Sequence, residues 1–340
     1  MAETAPPKQR GRELGDGFSF FDAAFATVVG SAARLVHVID LNAHEGPVYA
    51  HDEDALYLTS LPRADASGVP TASVLRVELD GVRGPLGGER VSIVPAEVAT
   101  PNGMTLGRDG RLLVCEQGNR SRPAGISRVD RHSGRTTPVV DAWHGLRLNS
   151  PNDVVERSDG SIWFTDPSYG FLQGFRPSPE VGDFVYRFDP WTGSLDVVAD
   201  DLDKPNGLAF SPSEEVLYVT DSGANQRPGS YHVDRPHHVL AYDVTGGRHL
   251  TGRRLLAVTT PGFPDGITVD VEGRVYVSSP AGVIVLTPEG DPLGRIDVPN
   301  AVNFAFGGSE RNVLFITTDA AVVAAVLDTR GAERPWPPAQ

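Results

Sequence analysis

Residues 205–223 read Pro-Asn-Gly-Leu-Ala-Phe-Ser-Pro-Ser-Glu-Glu-Val-Leu-Tyr-Val-Thr-Asp-Ser-Gly. The stretch combines a Pro-Asn-Gly turn, a short apolar strand, a polar hairpin tip and a second apolar strand ending in Thr220-Asp221. The pattern recurs about six times along the chain. In the other copies, the apolar triplet of the second strand begins at Leu56, Leu112, Ile162, Val275 and Leu314. This repeat is the feature from which the fold is predicted.

Each repeat also offers two further strands. Ile126-Ser-Arg-Val-Asp130 and Val185-Tyr-Arg-Phe-Asp189 illustrate the third strand, and Leu195-Asp-Val-Val198 illustrates the fourth. Four strands per unit, at intervals of roughly 40 to 60 residues, are typical of a β-propeller blade. The sequence therefore predicts an all-β fold, a six-bladed β-propeller.

The repeats run without a gap, which predicts a single propeller domain over residues 18–340. Residues 1–17 are rich in proline and charge, so we expect a disordered tail there. Phe18 to Val29 reads as a helix or a loop packed on the outside of the fold. Two longer insertions, Ser168 to Gly182 and Ser222 to His238, are predicted to form loops on one rim, over the mouth of the channel.

The composition narrows the possible partners and the compartment. With 30 basic and 44 acidic residues, the formal charge is −14, which argues against nucleic acid and anionic membranes as partners. A single cysteine, Cys115, excludes an internal disulfide and a cysteine-based metal cluster, and its apolar strand predicts a core residue. The N-terminus has no apolar signal segment, so we expect a cytoplasmic protein.

A side chain that carries oxygen recurs at, or one residue from, one position of each repeat. These residues are Glu45, Asn102, Asn152, Asn206, Asp265 and Asn303. The innermost strands of a propeller line its central channel, so the six side chains are expected to converge there. One interpretation is that Asn-Gly and Asp-Gly are simply turn dipeptides. The other is a central site for a hard divalent cation, which binds oxygen ligands. Glu45 favours the cation, because a turn would not require glutamate.

Several motifs together resemble one known family. They are His44-Glu-Gly-Pro-Val-Tyr49, Asn149-Ser-Pro-Asn-Asp-Val-Val155, Ser158-Asp-Gly-Ser-Ile-Trp-Phe-Thr-Asp-Pro167, Pro205-Asn-Gly-Leu-Ala-Phe-Ser-Pro212 and Pro264-Asp-Gly-Ile-Thr-Val-Asp270. Over about Leu35 to Thr318 the chain resembles the senescence-marker-protein/gluconolactonase (regucalcin-like) family, in its bacterial gluconolactonase branch. The resemblance implies a six-bladed propeller with one divalent metal, usually Ca²⁺ and in some members Zn²⁺, Mn²⁺ or Fe²⁺.

Site residues follow from the resemblance by position. It implies that Glu45, Asn206 and Asp265 bind the metal directly, and that Asn152 binds the metal or the substrate. Asp265 is also the expected general base. Leu113 to Arg120 resembles a family strand that usually reads Cys-Glu-His-Gly-Asn-Arg-Arg. Here Gln117 replaces the histidine and Ser121 the second arginine, where substrate recognition is expected.

The implied function is metal-dependent hydrolysis of a sugar lactone or a related small cyclic ester. The cation would polarise the carbonyl, with Asp265 as general base or as a group that only orients the water. Substrate contacts are predicted at Asn102, Glu116, Arg120, Asn152, Tyr169 and Asn303. For Glu116 and Arg120 a rim ion pair is the alternative, and for Tyr169 simple loop packing.

Two other functions remain open at this stage. One is a non-catalytic calcium-binding propeller, because propellers often serve as binding platforms. The other is a relative that hydrolyses organophosphates with the same metal. The expected partner is a small-molecule substrate, and the sequence leaves the oligomeric state open.

Overall fold

The structure is a computed structural model that describes residues 17–65 and 68–332. Six antiparallel sheets follow one another along the chain, each with its strands in the order innermost to outermost. We number them as blades 1 to 6. The first three are blade 1 (Val48–Ala50, Ala55–Thr59, Val74–Glu78, Val91–Ile93), blade 2 (Pro101–Leu106, Leu112–Glu116, Gly125–Val129, Thr136–Val140) and blade 3 (Val154–Glu156, Ile162–Asp166, Phe184–Asp189, Ser194–Ala199).

The other three blades complete the ring. They are blade 4 (Pro205–Phe210, Val216–Asp221, His238–Thr245, His249–Val258), blade 5 (Ile267–Val269, Val275–Ser279, Gly282–Leu286, Pro292–Ile296) and blade 6 (Phe304–Gly307, Val313–Thr317, Ala321–Val326, Arg34–Asp40). Short hairpins join Arg63–Ala64 to Pro70–Thr71 and Ala142–Trp143 to Leu146–Arg147.

Strand register shows that the repeats were aligned correctly. In blades 2 to 5, the residue two positions after the recurring Asn or Asp pairs with the third residue of the apolar triplet. The pairs are Met104 with Val114, Val154 with Phe164, Leu208 with Val219, and Ile267 with Val277. The second strands are almost wholly buried, which explains their continuous apolar triplets.

Apolar side chains form six buried clusters, one between each pair of neighbouring blades. Leu56 packs with Phe315 between blades 1 and 6, for example, and Trp163 packs with Leu217 between blades 3 and 4. Six interfaces for six blades mean that the ring is closed. The predicted six-bladed β-propeller is confirmed.

The ring is closed by the two ends of the sequence. Arg34–Asp40 forms the outermost strand of blade 6 and pairs antiparallel with Ala321–Val326. The strand itself was predicted from Leu35 to Asp40, but alternation along seven residues carries no information about a partner nearly 300 residues away.

The segment before this strand packs on the outside, as predicted, but it contains a strand that the sequence did not reveal. Phe18–Phe20 pairs with Pro292–Ile296 as a fifth strand of blade 5. A 3₁₀-helix, Ala23–Phe25, and an α-helix, Ala26–Val29, follow. The Phe25 ring is fully buried against Gly294, where a Cβ atom would lie 2.2 Å from the ring. Only glycine leaves room for this ring.

The helices elsewhere are short. They are the 3₁₀-helix Gly88–Arg90 and the α-helix Tyr169–Leu172. No helix within residues 17–65 and 68–332 is long and apolar enough to cross a bilayer. The tail predicted over residues 1–17 lies outside the described residues, apart from Gly17.

Candidate functional site

The six recurring residues lie at the start of the innermost strand in their blades, at one end of the central channel. Five of them are buried, with 3 to 6% of their surface exposed: Glu45, Asn102, Asn152, Asn206 and Asn303. Asp265 is half-buried. The structure therefore places all six residues at equivalent positions, as the repeat predicted.

Four of these side chains contact one another in a row. The Asn303 amide donates a hydrogen bond from Nδ2 to Glu45 Oε2 at 2.6 Å. The side chains of Glu45 and Asp265 are in hydrogen-bond contact, and the Asn206 side chain also hydrogen-bonds to Asp265. Two carboxyl groups thus lie side by side, with an amide at each end.

This crowding changes the acidity of both carboxyl groups. Burial raises the pKa of Glu45, and the neighbouring charge of Asp265 raises it further. Burial also raises the pKa of Asp265 against the opposing hydrogen bond from Asn206, with a further contribution from the negative charge of Asp319. Both carboxyl groups are therefore costly to ionise together unless a positive charge lies between them.

Asn152 supplies an oxygen that the protein leaves without a partner. Its Oδ1 atom is buried and accepts no hydrogen bond from any residue in the described ranges 17–65 and 68–332. The backbone of Asn152 is fixed, because its N–H donates to Thr165 O at 2.9 Å and its carbonyl accepts from the N–H of Gly103 at 2.8 Å. An acceptor without a protein partner at a rigid, buried position is unusual, and its amide oxygen is a suitable ligand for a cation.

The donor set fits a hard divalent cation. Glu45 and Asp265 provide carboxylates and Asn152 and Asn206 provide amide oxygens, which are the ligands that Ca²⁺ and similar ions prefer. No group of three or more His, Cys, Asp or Glu side chains suited to a metal occurs among the described residues. That is consistent with this ring, where only two acidic side chains take part and the other donors are amides.

Hydroxyl groups on the second strands hold the ring in place. Thr165 Oγ1 donates to Asn206 O at 2.6 Å, and Thr220 Oγ1 donates to Asp265 O at 2.7 Å. Thr317 Oγ1 donates to His44 O at 2.6 Å. Each bond joins one blade to the first residues of the next. Sequence reasoning missed this role, although the Thr or Ser that recurs directly after the apolar triplet was its signal. Cys115 occupies that position in blade 2.

Gly46 is required beside Glu45. Its φ is +56°, and a Cβ atom there would lie 2.5 Å from the backbone nitrogen of Met104. Glycine therefore lets the chain turn tightly after Glu45 while blades 1 and 2 approach each other closely.

The other predicted substrate contacts are placed differently. Glu116 is buried, and its carboxylate accepts hydrogen bonds from the Ala99 N–H at 2.7 Å and from the Ser127 hydroxyl. It also lies 3.8 Å from Arg122, so the ion pair at this rim involves Arg122. Arg120 is exposed and donates to Gly174 O at 3.0 Å. The contacts of Glu116 and Arg120 with substrate stay predictions.

Tyr169 lies close to the ring. It is 5% exposed, and its pKa is raised well above the usual range by burial and then by the negative charge of Asp265. Asn102 is buried at its place in the ring, and the Asn303 amide is held by Glu45. Roles for these three residues in substrate binding also stay predictions.

Three charged or titratable residues near the ring were not predicted. His44 Nδ1 lies 2.6 Å from Asp319 Oδ1. Burial lowers the pKa of His44, but the bond to Asp319 and the charge of Glu45 outweigh burial and raise it. Asp153 is buried next to Asn152, and its negative charge contributes to the raised pKa of both Glu45 and Asp265. None of the three lies at the recurring position, so the repeat gave no signal for them.

The channel below the ring is open. A cavity of about 830 Å³ extends from Gly46, Asp153 and Asn303, past apolar side chains of the innermost strands, to Asp52 and Arg131 at the far end. The two predicted rim loops lie at the opposite mouth, where the ring residues and Tyr169 are.

Comparison with known proteins now identifies the family. A family model described as the SMP-30/gluconolactonase/LRE-like region matches residues 43–320. The chain belongs to this family. The match includes all six ring residues and both rim loops.

Individual relatives agree with the family match. A lactonohydrolase, oryL, from Aspergillus oryzae is 32% identical over 80% of the chain, which spans 65% of that relative's length. A gluconolactonase from Zymomonas mobilis is 28% identical over 97% of the chain and 91% of its own length. The solved structure of a gluconolactonase from Xanthomonas campestris superposes with a TM-score of 0.73 at 33% identity, covering 96% of this chain and 99% of that one.

Proposed function

We propose that the protein is a metal-dependent lactone hydrolase that opens a sugar lactone or a related small cyclic ester. The observation that carries the proposal is the contact between the Glu45 and Asp265 carboxyl groups, with the unpartnered Asn152 Oδ1 and the Asn206 amide in the same ring. Related proteins of the family are lactone-hydrolysing by name, and the chain matches one of them over most of both lengths.

The metal ligands in this proposal are Glu45, Asn152, Asn206 and Asp265. A divalent cation, with Ca²⁺ favoured by the oxygen donors and Zn²⁺, Mn²⁺ or Fe²⁺ as alternatives, would supply the positive charge that polarises the lactone carbonyl. Asn303 holds Glu45 through the 2.6 Å hydrogen bond, and Thr220 holds the backbone of Asp265. These contacts fix the ligands before substrate arrives.

Asp265 is the residue proposed to move the proton. It is the most exposed of the six ring residues, which favours access of water and substrate to this position. Burial raises the pKa of Asp265 and a bound cation would lower it, so the proposal places Asp265 at the edge of the metal shell, where its carboxylate can still accept a proton. In the reaction, a carboxylate oxygen of Asp265 takes a proton from the attacking water and later returns it to the ring oxygen that leaves the carbonyl carbon.

The experiment is a proton-release assay on EDTA-treated protein. Glucono-δ-lactone, pentonolactones and aliphatic lactones are each followed with a pH indicator, after subtracting spontaneous opening. We expect no enzymatic rate in EDTA and a restored rate with at least one of Ca²⁺, Mn²⁺, Fe²⁺ or Zn²⁺. The absence of metal-dependent opening of every lactone would refute the proposal.

Parallel measurements separate the alternatives. A non-catalytic calcium-binding propeller would bind Ca²⁺ in calorimetry without turning over any lactone or ester. An enzyme whose main substrate is an organophosphate would hydrolyse a phosphotriester faster than every lactone in the panel.

A further inference from the structure

Two loops flank the mouth of the channel beside the ring. We call residues 167–183, which leave blade 3 after Asp166 and return at Phe184, the first rim loop. Residues 222–237, which leave blade 4 after Asp221 and return at His238, are the second rim loop.

The loops touch each other beside Asp265. Tyr169 of the first loop donates from its hydroxyl to Ser222 O of the second at 3.5 Å. Ser222 Oγ in turn donates to Pro264 O at 2.5 Å, and Pro264 directly precedes Asp265. The contact between the loops is therefore continuous with the backbone of the proposed base.

A single buried lysine lies between the bases of the two loops. The backbone N–H groups of Lys204 and Asp203 donate to Asp221 at 2.8 and 3.0 Å, at the point where the second loop begins. Lys204 Nζ lies 3.2 Å from Asp183 Oδ2, where the first loop ends. It also lies 3.1 Å from Asp203 Oδ1. Its backbone is thus fixed to one loop and its ammonium group to the other.

The connection continues into both loops. Asp183 accepts hydrogen bonds from the backbone N–H and the hydroxyl of Ser168, next to Tyr169. On the other side, Arg235 Nη1 donates to Asp203 Oδ2 at 2.9 Å. Opposite charges alternate along the series Arg235, Asp203, Lys204, Asp183, which ends at Ser168.

We propose that Lys204 is a positioning residue that couples the two rim loops into one lid, and that this lid holds Tyr169 over the lactone. The Lys204 side chain is buried in protein, with only 7% of its surface exposed. Attraction between these charges is therefore weakly screened. Removal of Lys204 would take away the cation that bridges the two carboxylates, leaving Asp203 with Arg235 alone and breaking the ion pair of Asp183. The role in lactone binding rests on the proposed function, whereas the coupling of the loops does not.

Hydrogen exchange tests the coupling without any turnover. In the first loop, exchange is followed at the amide of Gln173, which bonds to Tyr169 O, and at that of Phe175, which bonds to Gly170 O. In the second loop, it is followed at the amide of Ala224, which bonds to Pro236 O, and at that of His232, which bonds to Ala224 O. Arg235→Gln changes a half-exposed side chain of the second loop only. We expect Arg235→Gln to speed exchange in both loops. We expect Asp183→Asn, a change in the first loop, to speed exchange in both loops as well.

The same cross-effect should disappear when the coupling residue is absent. In a Lys204→Met background, adding Arg235→Gln is expected to speed exchange in the second loop only. Arg253→Gln is the matched control, because Arg253 lies in the outermost strand of blade 4 and forms an exposed ion pair with Asp201. It should leave both loops unchanged.

Kinetics then separates positioning from general destabilisation. With saturating metal, we expect Lys204→Met to raise KM about tenfold and to change kcat less than about twofold, because the lid contributes binding away from the reacting carbonyl. Lys204→Arg should recover part of the loss. Metal affinity, measured by calorimetry, should stay at the wild-type value.

Two results would overturn the coupling. The first is that Arg235→Gln speeds hydrogen exchange only in the second loop. The second is that Lys204→Met leaves hydrogen exchange in both loops at the wild-type rate. A fall in kcat with unchanged KM would overturn the lid's role in binding. If the wild-type protein opens no lactone, the proposed function fails, and the exchange data still decide whether the loops move together.

Discussion

At the scale of single residues, Asn303 shows how an amide beside the proposed metal ligands can orient one of them. Its Nδ2 group donates to Glu45 Oε2 at 2.6 Å, and its Oδ1 atom accepts from the N–H of Phe304 at 2.7 Å. With both ends occupied, Asn303 fixes the orientation of the Glu45 carboxylate. Groups that orient a metal ligand are commonly nearly as important as the ligand.

Replacing Asn303 by alanine should therefore weaken cation binding. We expect Asn303→Ala to reduce Ca²⁺ affinity about tenfold, since the loss of a group that orients a ligand typically costs 10- to 100-fold. Calorimetric titration of EDTA-treated protein measures the effect. Asn312→Ala is the control in the same blade, because Asn312 bonds to Leu327 O and has no contact with the ring. Equal Ca²⁺ affinity in Asn303→Ala and Asn312→Ala would show that Glu45 does not need the hydrogen bond from Asn303 to bind the cation.

Asp166 makes stability depend on pH. It is fully buried, and its two carboxylate oxygens accept from the N–H groups of Asn149 and Ser150, both at 2.8 Å. Burial outweighs these bonds and raises the pKa of Asp166 from 3.8 to about 8. Because the folded pKa exceeds the unfolded one, the associated stabilisation is complete below pH 3.8 and is lost as the pH rises through 8.

The difference in the free energy of unfolding between the wild type and Asp166→Asn should therefore become less favourable to the wild type as the pH rises. Urea denaturation at about pH 5 and about pH 9 measures it, because these values bracket the upper part of the titration. Asp189→Asn is the control. Burial raises the pKa of Asp189, but the N–H groups of Trp191 and Thr192 outweigh burial and lower it. Asp189 is therefore ionised at both pH values, and the change in stability caused by Asp189→Asn should be the same at both. A difference for Asp166→Asn that stays constant or grows would contradict the assignment.

At the scale of elements, the second strands of blades 3 and 4 both build the core and position the site residue of the next blade. Thr220 directly follows the apolar triplet of blade 4, is fully buried, and donates to Asp265 O at 2.7 Å and to Gly207 O at 3.3 Å. Thr165 does the same for Asn206. Asn206 and Asp265 are therefore held from the preceding blade as well as by contacts within their own blades, such as the bond from Asp265 N–H to Ser278 Oγ.

Thr220→Val keeps the shape of the side chain and removes the hydroxyl. We expect it to lower the free energy of unfolding by about 1 to 2 kcal/mol, because a buried carbonyl loses its donor. Turnover should fall as well, since the backbone of Asp265 loses a support. The exposed Thr251→Val serves as control. Unchanged urea midpoints for both variants would exclude this role of the hydroxyl.

Sequence reasoning found the elements where local pattern determines structure. The Pro-Asn-Gly turn and apolar triplet around Asn206 recur with fixed spacing, so the innermost strand pairs and the ring residues were predictable. Strand Phe18–Phe20 was not, because three residues at a sheet edge carry no periodic pattern. His44 and Asp319 lie 275 residues apart, and only ring closure brings them together. Glu116 and Arg120 were chosen by family position, which does not reveal that the carboxylate already has backbone and hydroxyl donors.

At the scale of the whole molecule, the N-terminal segment closes the circle of six blades. Arg34–Asp40 supplies the last strand of blade 6, and Phe18–Phe20 the extra strand of blade 5. Between them, Phe25 is buried in the cluster that joins blades 5 and 6. Contacts from one short segment to two neighbouring blades oppose opening of the ring at the place where the chain ends meet.

Phe25→Ala should therefore destabilise the whole propeller. We expect a loss of about 3 to 5 kcal/mol, the usual result of removing a buried phenylalanine ring. Phe21→Ala is a matched control four residues earlier, where the side chain is 53% exposed, and should change stability by less than about 0.5 kcal/mol. Similar unfolding midpoints for the two variants would show that the segment does not contribute to closing the ring.

The central claim is that this ring of oxygen ligands, with Asp265 as the base, opens lactones. The most direct measurement is the initial rate of proton release from the best lactone at saturating metal, for the wild type, Asp265→Asn and the exposed control Asp201→Asn. Asp265→Asn keeps an oxygen donor for the cation but removes the base, so we predict a rate lower by about 10²- to 10⁴-fold, with Asp201→Asn unchanged. A rate for Asp265→Asn within about threefold of the wild type would contradict the account.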